Sequence, residues 1–362
     1  MSGRAWREAE GLEDRRAWAA AGVAWQDIAE RAWAQRDLVR TRDAAVRAGD
    51  AWRREDRPLM AAKALKLAWD AGRRGPMDAA LLAAVLLDAG QADVALDIVA
   101  GTTATSDESA RAVLLDVRLG LCVALGLLDQ ARDDLAELDG LSIPGAGIAR
   151  VYRQAQVDRL DGLLERADQG FGAAAKALGD LPGAAGPRAA ALAERGELAL
   201  LYAALGHGAP ADAVPHLEGA LEGWRAAGRS GPALRAEGWL LRARVLAGDS
   251  VLAAPLLDWA AGADERGLPL LAADLRVSWA IATRDPSGLG AVLAVLERAP
   301  LARGRVRVIQ AELGGQADLD AALDEVTADA PWFARGLRAL GRRENDGTMI
   351  EDAAARIAGF LE

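Results

Sequence analysis

The sequence predicts an all-α fold, a stack of antiparallel helix pairs, and three observations carry that expectation. Of 362 residues, 52% are hydrophobic but only 4% aromatic. The apolar content is mostly Ala, Leu and Val; Ala and Leu are strong helix formers, and Ala also lets helices approach closely. Segments of about 12–18 residues carry apolar side chains at helical spacing. Breaks rich in Gly, Pro or Asp separate them at 72–76, 101–107, 140–147, 179–187, 206–210, 228–232, 248–250, 262–269 and 341–347. No stretch alternates with period two, so strands are expected to be absent or trivial.

Residues 1–41 stand apart. They hold Trp6, Trp18, Trp25 and Trp33 among Arg and Glu. Trp18, Trp25 and Trp33 are spaced by 7 and 8, which predicts one shared helical face. One reading makes this face a cap that hides the open end of the stack. The other makes it an interface for a partner or a second copy of the chain, because Trp and Arg dominate interface hot spots.

From residue 42 to 262 the chain repeats. Met77–Ala100 reads MDAALLAAVLLDAGQADVALDIVA: a helix, a tight turn at Gly90, and a second helix. Leu82, Ala83 and Leu86 precede the turn, and Ala95 and Val99 follow it. Small residues let the two helices of a pair cross closely, while bulky ones fill the gaps between pairs. The same frame places turns at Asp56, Gly126, Gly162, Gly206 and Gly248. Gly49 and Trp52 precede the first, with Ala61, Leu65 and Ala68 after it. Ala131 and Leu135 follow Gly126; Ala155 precedes Gly162, and Ala167, Phe171 and Ala174 follow. Leu198, Ala199 and Tyr202 lead to Gly206, then Leu217 and Ala220; Leu240 leads to Gly248, then Ala253, Leu257 and Ala260. The intervals between turns are 34, 36, 36, 44 and 42 residues. Residues 263–362 continue as helix pairs, roughly 269–298, 303–328 and 331–361, that match the pattern poorly. Pro331 suits a first helical turn, where its missing donor costs little.

Those residues resemble the tetratricopeptide-repeat (TPR) family, whose usual period is about 34 residues. The resemblance implies a right-handed α-solenoid of antiparallel helix pairs: a Trp/Arg-rich helical cap at 1–41, repeats at 42–262 and divergent repeats at 263–362. It also implies that the first helix of each pair lines a concave groove. In this register the groove includes Arg53, Arg54, Tyr152, Gln156, Arg159, Arg235 and Arg242, among small or apolar places such as Ala80, Ala84, Leu87, Val123 and Ala203. Guanidinium groups form forked hydrogen bonds to carboxylates and phosphates, so an acidic and apolar peptide or partner protein is the expected ligand. The Lys/Asn/Arg clamp of TPR co-chaperones is missing: Asn345 is the only asparagine.

Chemistry finds little purchase. Cys122 is the single cysteine, which rules out an intramolecular disulfide, and it lies in the apolar run GLCVALG as a small core residue. His207 and His216 are the only histidines and form no paired-histidine zinc motif. Gly145-Ala146-Gly147 begins a dinucleotide-like pattern, but Arg150 stands where its third glycine belongs and no strand precedes it. Carboxylates cluster at 129–139 and 318–325 without calcium-loop spacing, and are expected to be solvated helix faces. No cofactor or metal is expected, and no enzyme.

Charge narrows the partners. The net charge is -10, yet residues 1–75 carry 16 Lys/Arg against 12 Asp/Glu. An acidic chain argues against general nucleic-acid binding. The Arg excess, with Lys63, Lys66 and Lys176 as the only lysines, fits a high-GC genome as readily as selection for forked contacts. No apolar run spans a membrane and the start shows no signal core, so a cytoplasmic protein is expected. The functional expectation is a non-enzymatic scaffold or adaptor. The alternatives are a ligand- or peptide-responsive sensor, or an assembly subunit that forms oligomers through its terminal helices.

Overall fold

The computed structural model describes residues 3–102, 105, 107–141, 143, 146–179, 181–249 and 253–360. Among them are twenty α-helices, one short 3-10 turn and no strand. The helices are α1 Gly3–Asp14, α2 Trp18–Ala34, α3 Leu38–Arg54, α4 Pro58–Asp70, α5 Pro76–Asp88, α6 Ala92–Ala100, α7 Glu108–Leu125, α8 Leu128–Asp139, α9 Ala146–Leu160 and α10 Leu164–Gly179. They continue with α11 Ala185–Leu205, α12 Val214–Ala226, α13 Ser230–Leu246, α14 Pro255–Glu265, α15 Pro269–Thr283, α16 Leu289–Val295, α17 Pro300–Glu312, α18 Leu319–Glu325, α19 Ala330–Glu344 and α20 Gly347–Gly359. None is long and apolar enough to cross a membrane. Gly145 and parts of the breaks at 101–107, 140–147, 179–187 and 248–250 lie outside the described residues.

Local chemistry sets the helix ends. All six turns read from the sequence hold a left-handed residue, from Asp56 (φ +50°) and Gly90 (φ +77°) to Gly248 (φ +120°). Around Gly90, the Gln91 N–H donates to the Leu86 carbonyl at 2.8 Å, which closes the helix in a Schellman turn. The same bond recurs from Arg57 to Trp52, Leu127 to Cys122, Leu163 to Asp158 and His207 to Tyr202. Asp56 makes this turn without a glycine's freedom; a short polar side chain tolerates the region better than a branched one. Pro58, Pro76, Pro300 and Pro331 stand in first turns, and Asp37, Asp318 and Asp346 cap helix starts through their side chains.

The helices fall into two compact units. The first comprises 1–117 with 263–269, and the second 118–262 with 270–362. In the first unit, α2 packs on α3, α3 on α4, α4 on α5 and α5 on α6. Trp25 is fully buried and meets Trp6 edge-on at 4.7 Å. The Arg47 guanidinium lies 4.7 Å from the Trp25 ring and is held by Glu10 and Glu13. The expected shared Trp face is therefore split. Trp25 is core, Trp18 is half-buried beneath Arg54 at 4.4 Å, and Trp33 is exposed. The spacing of 8 from Trp25 to Trp33 turns the side chain about 80° around the helix, enough to leave the buried stripe.

In the second unit α8 packs on α9, and neighbours continue to pair through α13. Phe171 of α10 is fully buried with Ala155, Leu164, Leu198 and Leu201. The same cluster contains Ala334 of α19 and Ile357 of α20, so the last helices return to the α9–α11 region. Register slips in one place: Leu256, fully buried, takes the core position expected of Leu257, which is 43% exposed. The 129–139 cluster is also not uniformly solvated. Asp134 is buried, and its carboxylate accepts from Arg118 Nε at 2.7 Å.

Small residues mark the close crossings. A Cβ built on Gly196 of α11 would lie 2.5 Å from Cγ and Cδ2 of Leu217, itself fully buried. Gly196→Ala should destabilise the chain by about 1 kcal/mol, since overpacking of about 1–3 kcal/mol outweighs the roughly 1 kcal/mol that Ala gains over Gly in a helix. Gly147→Ala, with nothing within 4 Å, should be neutral or stabilising. Urea midpoints of the two variants check the contrast.

Candidate ligand-binding site

The second unit holds a half-open cavity of about 480 Å³. Its walls come mainly from alternate helices: Arg159 of α9, Glu194 and Glu197 of α11, Arg235, Trp239 and Arg242 of α13, Asp274 of α15, Arg305 and Glu312 of α17, and Trp332 and Arg335 of α19. Asp329, just ahead of α19, joins them. Helical periodicity explains the selection. Positions 235, 239 and 242, or 305, 309 and 312, are spaced by 4 and 3, so each trio shares one stripe of its helix.

The charges are largely stitched to one another. Arg159 donates to Glu197 at 3.1 Å and lies 3.6 Å from Glu194. Arg305 pairs with Asp329, and Arg335 with Glu312. Arg235 stands 3.8 Å from Asp274. Each of these ties one lining element to its neighbour. Arg242 has no carboxylate within 4.0 Å among the described residues. The Arg335 guanidinium also covers the Trp332 ring at 4.0 Å.

Burial and neighbours pull these groups in different directions. Burial alone would push Arg159 down, but Glu194, Glu197 and Asp329 outweigh it and hold it up. Burial would raise Glu197, and Arg159, Arg305, Arg242 and Arg235 together reverse this and hold it below the ordinary glutamate range. Burial keeps Asp274 raised despite Arg235 and Arg242. Burial lowers Arg242, and Arg335 adds to that effect, while Asp274 and Glu197 offset it only in part.

Glu197 therefore gives a signed pH prediction. A carboxylate depressed on folding contributes stability that is complete above its unfolded pKa, and that is lost as pH falls through the folded one. Glu197→Gln should destabilise the chain at pH 7. The gap to the parent should begin to close near about pH 4.3 and vanish in stronger acid. Urea unfolding between pH 7 and 3 measures it.

The sequence-read site residues divide three ways. Arg159, Arg235 and Arg242 do converge on the cavity. Tyr152 and Gln156 do not line it: Gln156 Nε2 donates to Glu194 Oε1 at 2.7 Å, and Tyr152 meets Phe171 edge-on at 5.6 Å. Both brace the wall from behind. Arg53 and Arg54 belong to the first unit, where Arg54 pairs with Asp50 at 2.9 Å. Arg159 is buried against two carboxylates of its own chain. Sequence reasoning missed Glu194, Glu197, Trp239, Asp274, Arg305, Glu312, Trp332 and Arg335. Their 3/4/7 spacing was visible, but nothing in one helix states which helix faces it.

Elsewhere the candidates are placed away from chemistry. Burial pushes the Cys122 thiol up to about 12, where almost no thiolate exists at neutral pH. Burial and Arg195 lower His216, and neither histidine lines the cavity. Asp318 caps α18, and Glu325 takes Arg303 and Arg307. No group of three His, Cys, Asp or Glu that could hold a metal occurs among the described residues. No protein-family model matches the chain, and no curated protein matches it either.

Proposed function

We propose that this chain is a non-enzymatic, TPR-like α-solenoid whose second unit binds a ligand and responds to it. The observation that carries this reading is the convergence of Arg159, Arg235 and Arg242, from α9 and α13, on one cavity faced by alternate helices. Alternation is what a solenoid produces when the first helix of each pair lies inside. A cavity of about 480 Å³ falls within the range of roughly 300–1,000 Å³ that holds small ligands. An extended partner in an open groove is less favoured, because α19 and α20 pack back onto α10 and α11.

Response follows from the same geometry. The ion pairs that cross the cavity wall join α9 to α11, α13 to α15 and α17 to α19. A ligand that competes for any of these guanidinium groups alters how adjacent helices are held. Binding free energy can bias such an arrangement only as far as the ligand distinguishes its states.

The test is a thermal-shift screen of organic anions and acidic-apolar peptides on the full chain, repeated with Arg242→Glu. At least one class should raise Tm of the parent and lose that effect in the variant. A screen in which neither class shifts the parent would overturn the binding reading.

A further inference from the structure

Resting on that binding reading, we propose that the cavity takes a small amphipathic organic monoanion: a carboxylate on an aliphatic or flat apolar body, with Arg242 as the anchor of its head.

The pairing pattern singles out one place for an anionic head. Arg159, Arg235, Arg305 and Arg335 each have a carboxylate within 4.0 Å, and Arg242 has none among the described residues. A guanidinium remains charged in any protein setting, so Arg242 is a charged group of the lining without an ion-pair partner of its own. The site shows a second unmet demand. Arg159 is 8% exposed, and its Nε has no hydrogen-bond partner in the protein. A doubly charged phosphate ester would bring a second negative charge toward Glu197 and Asp274, the carboxylates that already act on Arg242. Five arginines and five carboxylates already line the cavity, so a single anionic head on Arg242 adds one negative charge to the site, and a dianion would add two.

The apolar end is equally defined. One turn beyond Arg242, Leu246 of α13 lines the cavity and is 42% exposed. Ile281, Val292, Leu296 and Leu313 face the same space, and all but Val292 lie at or just past the carboxy-terminal ends of their helices. Helix carboxy termini carry partial negative charge, which disfavours a second anionic group there and suits a hydrocarbon. Four helical residues span about 6 Å, so head and body sit next to each other, as in a short-chain fatty acid or an aryl-alkyl acid.

Calorimetric titration of the full chain with submicellar octanoate tests this, beside octanesulfonate, octanol and octyltrimethylammonium. Octanoate and octanesulfonate should bind at one site, and octyltrimethylammonium should not. Arg242→Met should weaken octanoate roughly ten- to hundredfold, the usual weight of a charge-assisted hydrogen bond, while octanol changes little. Leu246→Asp, at a half-exposed position that tolerates polarity, should abolish octanoate binding with the urea midpoint retained. Equal binding of the ammonium, or octanoate binding unmoved by both substitutions, would overturn the proposal. Binding of acidic-apolar peptides without octanoate would overturn it and leave the binding reading standing; failure of both ligand classes removes both.

Discussion

Phe171→Ala should destabilise the second unit by about 3–5 kcal/mol, the usual cost of emptying a fully buried aromatic site. Phe171 is fully buried and holds Tyr152 edge-on at 5.6 Å. Its neighbours come from distant parts of the chain: Ala155 and Leu164 on one side, Leu198 and Leu201 on another, and Ala334 and Ile357 from the last two helices. The site cannot collapse easily, since Ala155 and Ala334 are already small and Phe360 is packed where a Cβ at Gly162 would come within 2.5 Å. The loss should therefore spread. Hydrogen exchange should show α19 and α20 losing protection together with α9–α11. If only α9–α11 open, the return of the last helices contributes little stability.

Arg159→Met should cost a further amount of similar size, about 3–5 kcal/mol, because removing one partner of a buried ion pair strands the other. Here two carboxylates lose their nearest cation, Glu194 and Glu197, which face Arg159 at 3.6 and 3.1 Å. Met retains much of the Arg stem's packing, so the loss reports charge rather than volume. Arg159 is the largest of the cations that hold Glu197 down against burial, so its removal raises the folded pKa of Glu197 relative to the parent. The cost at Glu197 is then largest at neutral pH and shrinks as pH falls and it protonates. The gap between Arg159→Met and the parent should thus narrow on acidification. Arg159→Met combined with Glu194→Gln and Glu197→Gln should recover much of the loss at pH 7, which a packing defect would not allow. Denaturant unfolding of the three proteins between pH 7 and 4 separates the explanations.

The helices and their turns were legible because their causes are local. Gly90 and its counterparts stop a helix through a backbone that only a left-handed residue can form, and each leaves its mark within six residues. One small position was legible for the same reason: Gly49 stands on its helix where a Cβ would come within 2.7 Å of Leu65, whereas the equally tight Gly196 was not read. Spacing failed by about a quarter turn, roughly 80° for Trp33 and 100° for Leu257. It put Trp33 on the face of Trp25, and it put Leu257 where Leu256 is buried.

The site divides along the same line. The register that the TPR resemblance implies named Arg159, Arg235 and Arg242, which line the cavity, together with Arg53, Arg54, Tyr152 and Gln156, which do not. Which of those charges is already paired is not a property of one helix. Arg159 meets Glu194 and Glu197 across some 38 residues of chain, and Arg335 meets Glu312 across 23, at distances no periodicity encodes. Only the tertiary structure decided that four of the five lining arginines have a carboxylate within 4.0 Å and that Arg242, among the described residues, has none. Coulomb energy depends on separation in space, and chain distance has no fixed relation to it once helices pack.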